Sequence, residues 1–316
     1  MANTIEKFGI SRAAVYKNIT KLVKDGLIEH DAAKKGRKYN LVSKRHIFSY
    51  DIVPGLSESD VWIKDIEKYV PKKQNVYGIW QYGFTEMFNN AIDHSSGKKI
   101  RVIIEENPVK TMMAVIDDGI GIFKNIQSKF DLSNEHEAIL ELSKGKLTTN
   151  REQHSGEGIF FTSRMFDIFV IESHNILFSH NKNYEDIVLD KAGVKQHDGT
   201  IIMMQLDNDS NRKTTDIFNE FAGDDYGFDK TIIPIELARY GDDNLVSRSQ
   251  AKRVLNRVTL FKNVIFDFNN VPQIGQAFAD EIFRVFHNAH PEITINIVNA
   301  NEEVTKMIAH AKSVNI

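Results

Sequence analysis

Cysteine is absent from this chain of 316 residues. Its absence excludes disulfide bonds, a thiolate nucleophile and a zinc site with cysteine ligands, and it is typical of a reducing compartment. No apolar run approaches the roughly 18–20 residues that a membrane-spanning helix needs, and the N-terminus lacks the apolar core of a signal peptide. We therefore expect a soluble, cytoplasmic protein without a membrane partner.

A strong excess of charge of either sign is also missing. The formal net charge is −3, so overall charge argues neither for nor against a nucleic-acid partner. No P-loop sequence occurs, which excludes that class of nucleotide site. The composition is 41% hydrophobic and 26% charged, which is typical of a globular protein with enough apolar residues for two or three cores.

Residues 1–45 form a small N-terminal unit. Ser11 can cap a helix that runs to Lys24 with one apolar face, and two short strands with a basic turn follow. This order resembles a winged helix-turn-helix that lacks its first helix. The resemblance implies DNA binding, and the alternative is a packing or dimerisation module with a solvated basic face. The residues that would contact DNA are Arg12, Tyr16, Lys17, Lys21, Arg37 and Lys38.

Four short segments of the central region combine acidic, amide and glycine residues in a fixed order. Glu86 and Asn90 lie one helical turn apart, so their side chains share one face of a long predicted helix, residues 76–95. Asp117 ends a β-branched strand and begins a loop containing Gly119 and Gly121. The two remaining segments are Gly156-Glu-Gly158, which opens a helix, and Gly199-Thr200, which starts a strand.

These residue types suit a nucleotide with its metal ion. The amide oxygen of asparagine can coordinate Mg²⁺, which favours few protein ligands together with water and phosphate oxygens. Glycine amides at the start of a helix bind phosphate, because the helix dipole and the free N–H groups favour anions there. A carboxylate close to metal-bound phosphate can act as a general base.

The order of the four segments resembles the GHKL ATPases, a family that includes gyrase B, MutL and histidine kinases. The resemblance covers about residues 76–206 and implies the Bergerat α/β sandwich, ATP and Mg²⁺. By resemblance, Glu86 is the catalytic base, Asn90 the Mg²⁺ ligand and Asp117 the acceptor for the adenine amine. The ATP-binding residues implied in this way are Asn90, Asp93, Asp117, Gly119, Gly121, Gly156, Gly158 and Thr200.

The polar stretch 122–155 corresponds to the lid of that family. Lys144, Lys146 and Arg151 stand at its end, and we expect them either to contact phosphate or to be surface charges of a mobile loop.

Residues 46–75 are predicted to be a linker with a helix near residues 61–69, and residues 207–229 a connector. The last segment, residues 230–316, alternates strands and helices in the order β-α-β-α-β-α and resembles the STAS-like domains that accompany such ATPases. In STAS factors a serine opens the helix after a strand. Gly275, Gln276 and Ala277 stand there instead, which argues against a phosphorylation switch in this unit.

The leading hypothesis is therefore an ATP- and Mg²⁺-binding regulatory switch with slow hydrolysis. Its flanking units would bind DNA or a protein partner, and an ATP-dependent homodimer is plausible from the resemblance. The first alternative is a protein serine kinase of the anti-sigma type. The second is a DNA-binding regulator that senses ATP without hydrolysing it. Whether the chain is an enzyme stays open at this point.

Overall fold

The architecture is α+β, with one large antiparallel sheet and a smaller parallel one. The computed structural model of this chain describes residues 6–31, 38–147, 156–181, 184–191, 198–223, 227–239 and 244–313. These residues contain three sheets of two, seven and three strands. None of the helices in the described ranges is both long and apolar enough to cross a membrane.

The N-terminal unit consists of helix α1, Arg12–Lys24, and an antiparallel hairpin of β1, Ile28–His30, and β2, Tyr39–Leu41. The side chain of Ser11 accepts a hydrogen bond from the backbone N–H of Ala14 at 3.2 Å, so it caps α1 as the sequence predicts. The unit buries little apolar surface of its own.

The seven-stranded sheet is antiparallel between all neighbours and has the order β3-β4-β5-β9-β6-β7-β8. Along each central strand, buried and half-buried residues alternate, so the sheet has one face in the core. Its strands are β3 Lys44–Asp51, β4 Lys99–Glu106, β5 Lys110–Asp117, β6 Ile168–Ser173, β7 Ile176–Asn181, β8 Tyr184–Asp190 and β9 Thr200–Asp207.

Six helical segments lie in the described residues of this central part, and the longest of them packs on the inner face of the sheet. They are α2 Glu58–Val61, which continues as further helical turns to Tyr69, then α3 Gln74–His94, α4 Ile122–Phe130, α5 Glu135–Lys144, α6 Gly158–Met165 and α7 Thr214–Phe221.

Helix α3 positions the site. Its buried residues recur every three or four positions, from Val76 through Trp80 and Phe84 to Ala91, and form the stripe that packs on the sheet. Gly83 allows the closest approach, because a Cβ there would lie 2.5 Å from the ring of Phe166. The adjacent face of the helix is left to polar residues, which include those predicted for the site.

Three segments differ from their prediction. The predicted linker, residues 46–75, contains most of the edge strand β3, whereas the helical turns around Trp62 agree with the helix predicted near residues 61–69. The predicted connector, residues 207–229, contains α7, and the predicted polar lid contains α4 and α5. In each case a few large apolar residues within a polar sequence find long-range partners, and tertiary packing outweighs the local pattern.

The C-terminal unit has a parallel sheet of order β10-β11-β12, formed by Lys230–Pro234, Asn263–Asp267 and Thr294–Val298. Its main helices are α8 Arg248–Leu255, α9 Gln276–Asp280, which continues as helical turns to Ala289, and α10 Glu302–Ser313. The alternation of strands and helices agrees with the predicted order.

Candidate functional site

A cavity of about 270 Å³ lies between the inner face of the large sheet and helices α3, α4 and α6. Residues from all four predicted segments line it. They are joined by residues of α4 and by residues at both ends of the predicted lid. The lining residues that the sequence had singled out as site residues are Glu86, Asn90, Asp117, Gly156, Gly158 and Thr200.

Asp117 provides a buried acceptor at the sheet side of the cavity. Its side chain is 8% exposed, and Oδ1 accepts hydrogen bonds from the backbone N–H groups of Gly119 at 2.9 Å and Thr200 at 3.2 Å. Burial raises the pKa of Asp117 above its ordinary value, and these hydrogen bonds oppose the rise. The carboxylate is therefore held in one orientation against the strand that begins at Thr200.

Thr200 connects this acid to helix α4. Its hydroxyl oxygen accepts a hydrogen bond from the backbone N–H of Ile122 at 3.0 Å and also bonds to the carboxyl group of Asp117. Gly199 has φ +87°, and a Cβ there would lie 2.0 Å from the carbonyl oxygen of Asp117. Only glycine fits this crossing of two backbone segments.

Glu86 and Asn90 lie one turn apart on α3, and both are half-buried at the cavity wall. Gly158, the first residue of α6, contacts Glu86 so closely that an added Cβ would lie 2.0 Å from Oε2. The absence of a side chain at Gly158 thus lets the start of α6 approach the carboxylate. The N–H groups of the first turn of α6 have no partner within the helix, which makes this end suited to an anion.

Several predicted site residues do not line the cavity. Asp93 is exposed on α3, and Gly119 and Gly121 lie in the adjacent turn, where Gly121 has φ +83°. Gly119 contributes indirectly, through its N–H bond to Asp117. Lys144 and Lys146 also lie outside the lining, and Arg151 belongs to a segment outside the described residues.

Lys144 faces the C-terminal unit. Its side chain is fully buried, and the ammonium group contacts Glu141 at 2.6 Å and the carbonyl oxygens of Arg253 and Asn256 at 3.0 and 2.9 Å. Burial lowers the pKa of Lys144, and the carboxylate of Glu141 opposes this shift. Lys144 therefore joins the predicted lid to the C-terminal unit and does not reach the cavity.

Lys146 and Arg257 reinforce the same junction. The ammonium group of Lys146 donates to the carbonyl oxygen of Leu260 at 2.9 Å, and the guanidinium group of Arg257 pairs with Glu141 at 2.9 Å. Since Leu142 and Leu147 on either side of Lys144 line the cavity, the junction holds one cavity wall in place.

Sequence reasoning missed the contribution of α4. Asn125 is buried and donates from its side chain to the carbonyl oxygen of His94 at 2.8 Å, while Lys129 provides a cationic side chain at the cavity. The apolar positions Ile122, Ile126 and Phe130 also line it. Their spacing of four residues was the available signal, because it marks one face of a helix.

No group of three or more His, Asp or Glu residues in the described ranges is arranged to hold a metal ion. The predicted metal ligand, Asn90, stands near Glu86 as the polar part of the cavity wall. Mg²⁺ takes few protein ligands where phosphate and water complete its shell.

The N-terminal residues predicted for DNA are solvent-exposed where the structure describes them. Arg12, Tyr16, Lys17 and Lys21 are exposed on α1, with 61% of Tyr16 accessible. Lys38 is exposed beside the hairpin, and Arg37 lies outside the described residues. Exposure leaves both sequence interpretations, DNA contact and a solvated face, in place.

Comparison with known proteins identifies one part of the chain. A family model described as a STAS-like domain of unknown function (DUF4325) matches residues 250–305. Residues 250–305, within the C-terminal unit, are a STAS-like domain. This match confirms the sequence prediction for that unit, and it covers α8, β11, α9, β12 and the start of α10. No curated protein matches the chain.

Proposed function

We propose that the central unit is a GHKL-type domain that binds ATP with Mg²⁺ and acts as a slow, ATP-dependent switch. The observation that carries the proposal is the shared cavity. One cavity is lined by residues from segments up to 114 positions apart in the sequence, which are Glu86, Asn90, Asp117, Gly156 and Thr200. Unrelated Asp-Gly turns and helix starts are not expected to lie around one cavity.

The adenine end of this site is the region around Asp117. A buried carboxylate whose Oδ1 already accepts two amide N–H groups is fixed in place and presents an acceptor to a donor on the ligand. Apolar walls from Met87, Val115 and Ile202 surround it, which suits a flat aromatic base. The donor of an exocyclic amine is the complementary group.

The phosphate end lies between α3 and the start of α6. Asn90 would hold Mg²⁺, the first turn of α6 would accept phosphate oxygens, and Lys129 would add positive charge. Bound ATP supplies the phosphoanhydride bond whose cleavage drives the switch. Glu86 is the one carboxylate at this end of the lining and would take the proton of an attacking water molecule.

The STAS-like domain is the proposed output of this switch, because it contacts the wall of the cavity. Lys144 and Arg257 tie α5 and the following turn to the C-terminal unit. A change in the cavity that moves Leu142 or Leu147 therefore moves the junction. The exposed basic face of α1 is the proposed DNA contact.

The decisive experiment is titration of ATP with Mg²⁺ by calorimetry, with phosphate release measured in the same samples. Asp117→Asn keeps an Oδ1 acceptor for Gly119 and Thr200 but replaces Oδ2 with an NH₂ donor. We expect it to weaken ATP binding by about 10- to 150-fold, the equivalent of about 1.5–3 kcal/mol for a hydrogen bond to a charged group. Glu86→Gln should retain binding and lose phosphate release.

Unchanged affinity in Asp117→Asn would refute the site assignment. Binding without phosphate release from the wild type would instead favour a non-hydrolysing sensor, or a kinase that requires its protein substrate. Transfer of labelled phosphate to a serine of an added partner protein would then separate these two functions.

A further inference from the structure

The outer face of the seven-stranded sheet carries an apolar band between charged and polar residues, and no described helix packs on it. Helices α3 and α6 contact the sheet through the buried, inner-facing residues. Alternation along the strands sends the other residues outward. The register places one of them from every strand in a single row: Ile47, Ile103, Ala114, Met203, Val170, Ser179 and Ile187.

This row is apolar at six of its seven positions and crosses the whole sheet. At its two ends Ile47 is 59% exposed and Ile187 is 45% exposed. Met203 and Val170, at the centre of the row, are half-buried. A continuous apolar band of this length on a protein surface is typical of an interaction site.

We propose that a second copy of this chain covers the outer sheet face, in a dimer in which the two sheets pack face to face. The two-fold axis runs along the row, so each strand faces its own counterpart. This inference does not depend on the proposed nucleotide function, because the row lies on the side of the sheet opposite the cavity.

The charges next to the row fit this symmetry. Arg101 and Glu105 lie on β4, two residues before and two residues after Ile103. A two-fold axis through Ile103 exchanges these positions, so Arg101 of one copy faces Glu105 of the other, and the reverse pair forms as well. Within one copy Glu105 lies 3.6 Å from Arg45, so each carboxylate would contact Arg45 of its own copy and Arg101 of the other. A closed two-fold interface requires such self-complementarity.

The size of the face is also sufficient. Seven strands at a spacing of about 4.8 Å and about five residues of about 3.3 Å along each strand give about 550 Å² per copy. The pair therefore buries about 1,100 Å², near the lower limit for a specific interface. Facing sheets pack about 10 Å apart, a distance that side chains the size of methionine and isoleucine fill.

Sedimentation velocity over a concentration series, without nucleotide, tests the proposal. We expect a reversible dimer for the wild type. Arg101→Glu and Glu105→Arg each place like charges opposite each other twice, and each should weaken dimerisation about tenfold or more. An equimolar mixture of the two variants pairs opposite charges again and should dimerise like the wild type. Lys252→Glu, an exposed charge reversal on α8, is the matched control.

A monomeric wild type at every concentration would overturn the proposal, as would single variants that dimerise normally. A mixture that stays monomeric while both variants are folded by circular dichroism would also overturn it, because the assigned two-fold axis would then be wrong. Capture of a different protein by a monomeric chain would assign the face to that partner instead.

Discussion

Replacement of Lys144 by methionine tests the junction between the central unit and the STAS-like domain. The ammonium group is fully buried and contacts Glu141 and the carbonyl oxygens of Arg253 and Asn256, all at 2.6–3.0 Å. Methionine fills a similar volume but supplies no donor. Lys144→Met therefore leaves two carbonyl oxygens without this donor and a buried carboxylate with one partner fewer.

The expected loss is large for a single substitution. Removal of one partner from a buried ion pair costs about 3–5 kcal/mol, because the remaining charge stays desolvated. Glu141 keeps Arg257 at 2.9 Å and the side-chain amide of Asn256 at 3.3 Å. We therefore expect the lower end of this range, about 3 kcal/mol in the free energy of unfolding.

Tryptophan fluorescence during urea unfolding is the appropriate assay. The chain has two tryptophans, Trp62 and Trp80, and both are buried in the core of the central unit, so their emission reports on that unit. Lys252→Met, on the exposed face of α8, serves as the control and should change stability by less than about 0.5 kcal/mol. Urea midpoints convert to free energies if the slope of the transition is unchanged.

A loss below about 1 kcal/mol for Lys144→Met would refute the assignment of a stabilising buried pair. The double variant Glu141→Leu with Lys144→Met gives a second check. It also removes the carboxylate that pairs with Arg257 at 2.9 Å, and that guanidinium group is nearly buried. We therefore expect the double variant to be less stable than Lys144→Met alone. A double variant as stable as the single one would contradict a stabilising Glu141–Arg257 pair.

Two further predictions concern the cavity. Gly158→Ala places a Cβ 2.0 Å from Oε2 of Glu86. Because the carboxylate can turn away from this Cβ, we expect phosphate release to fall while stability and ATP affinity change little. Gly78→Ala is the control, since nothing lies within 4 Å of a Cβ added there. Burial raises the pKa of Asp117 above that of an unfolded aspartate, so its stability contribution is complete below the unfolded pKa and is lost as the pH rises through the folded pKa. The free energy of unfolding of the wild type, relative to that of Asp117→Asn, should therefore fall as the pH rises through that range. The ATP affinity of the wild type should rise over the same range as the carboxylate ionises. The same pH dependence of stability in both proteins would contradict this reasoning.

Local sequence patterns were sufficient for the elements with strong periodicity. Helix α3, predicted over residues 76–95, spans Gln74–His94, and the predicted β-α-β-α-β-α order of residues 230–316 is present. In such segments the residues that define the pattern are also the ones that are buried, so the local signal and the tertiary packing agree. The STAS-like unit was recognisable for the same reason, since its alternating apolar strands and helices are regular.

The candidate site was predictable in part. Sharp turns restrict the residue to glycine, and the acid follows directly at a strand end. The order of these residues along the chain therefore indicates which segments form the site. That order pointed to Glu86, Asn90, Asp117 and Thr200, which all line one cavity. It could not show that Asp93, one turn further along the same helix, faces solvent.

Only the tertiary structure decided which residues far apart in the sequence contact each other. Lys144 reads as a lid cation, yet carbonyl oxygens 109 and 112 residues later enclose it. Most of the edge strand β3 was predicted to be a linker, because its residues are mostly polar. Its pairing with β4 is what makes it a strand. The sequence by itself determined the regular elements and the order of site residues, since both are local properties. Burial, pairing and the choice of cavity wall are properties of contacts between distant segments, and these form only when the chain is folded.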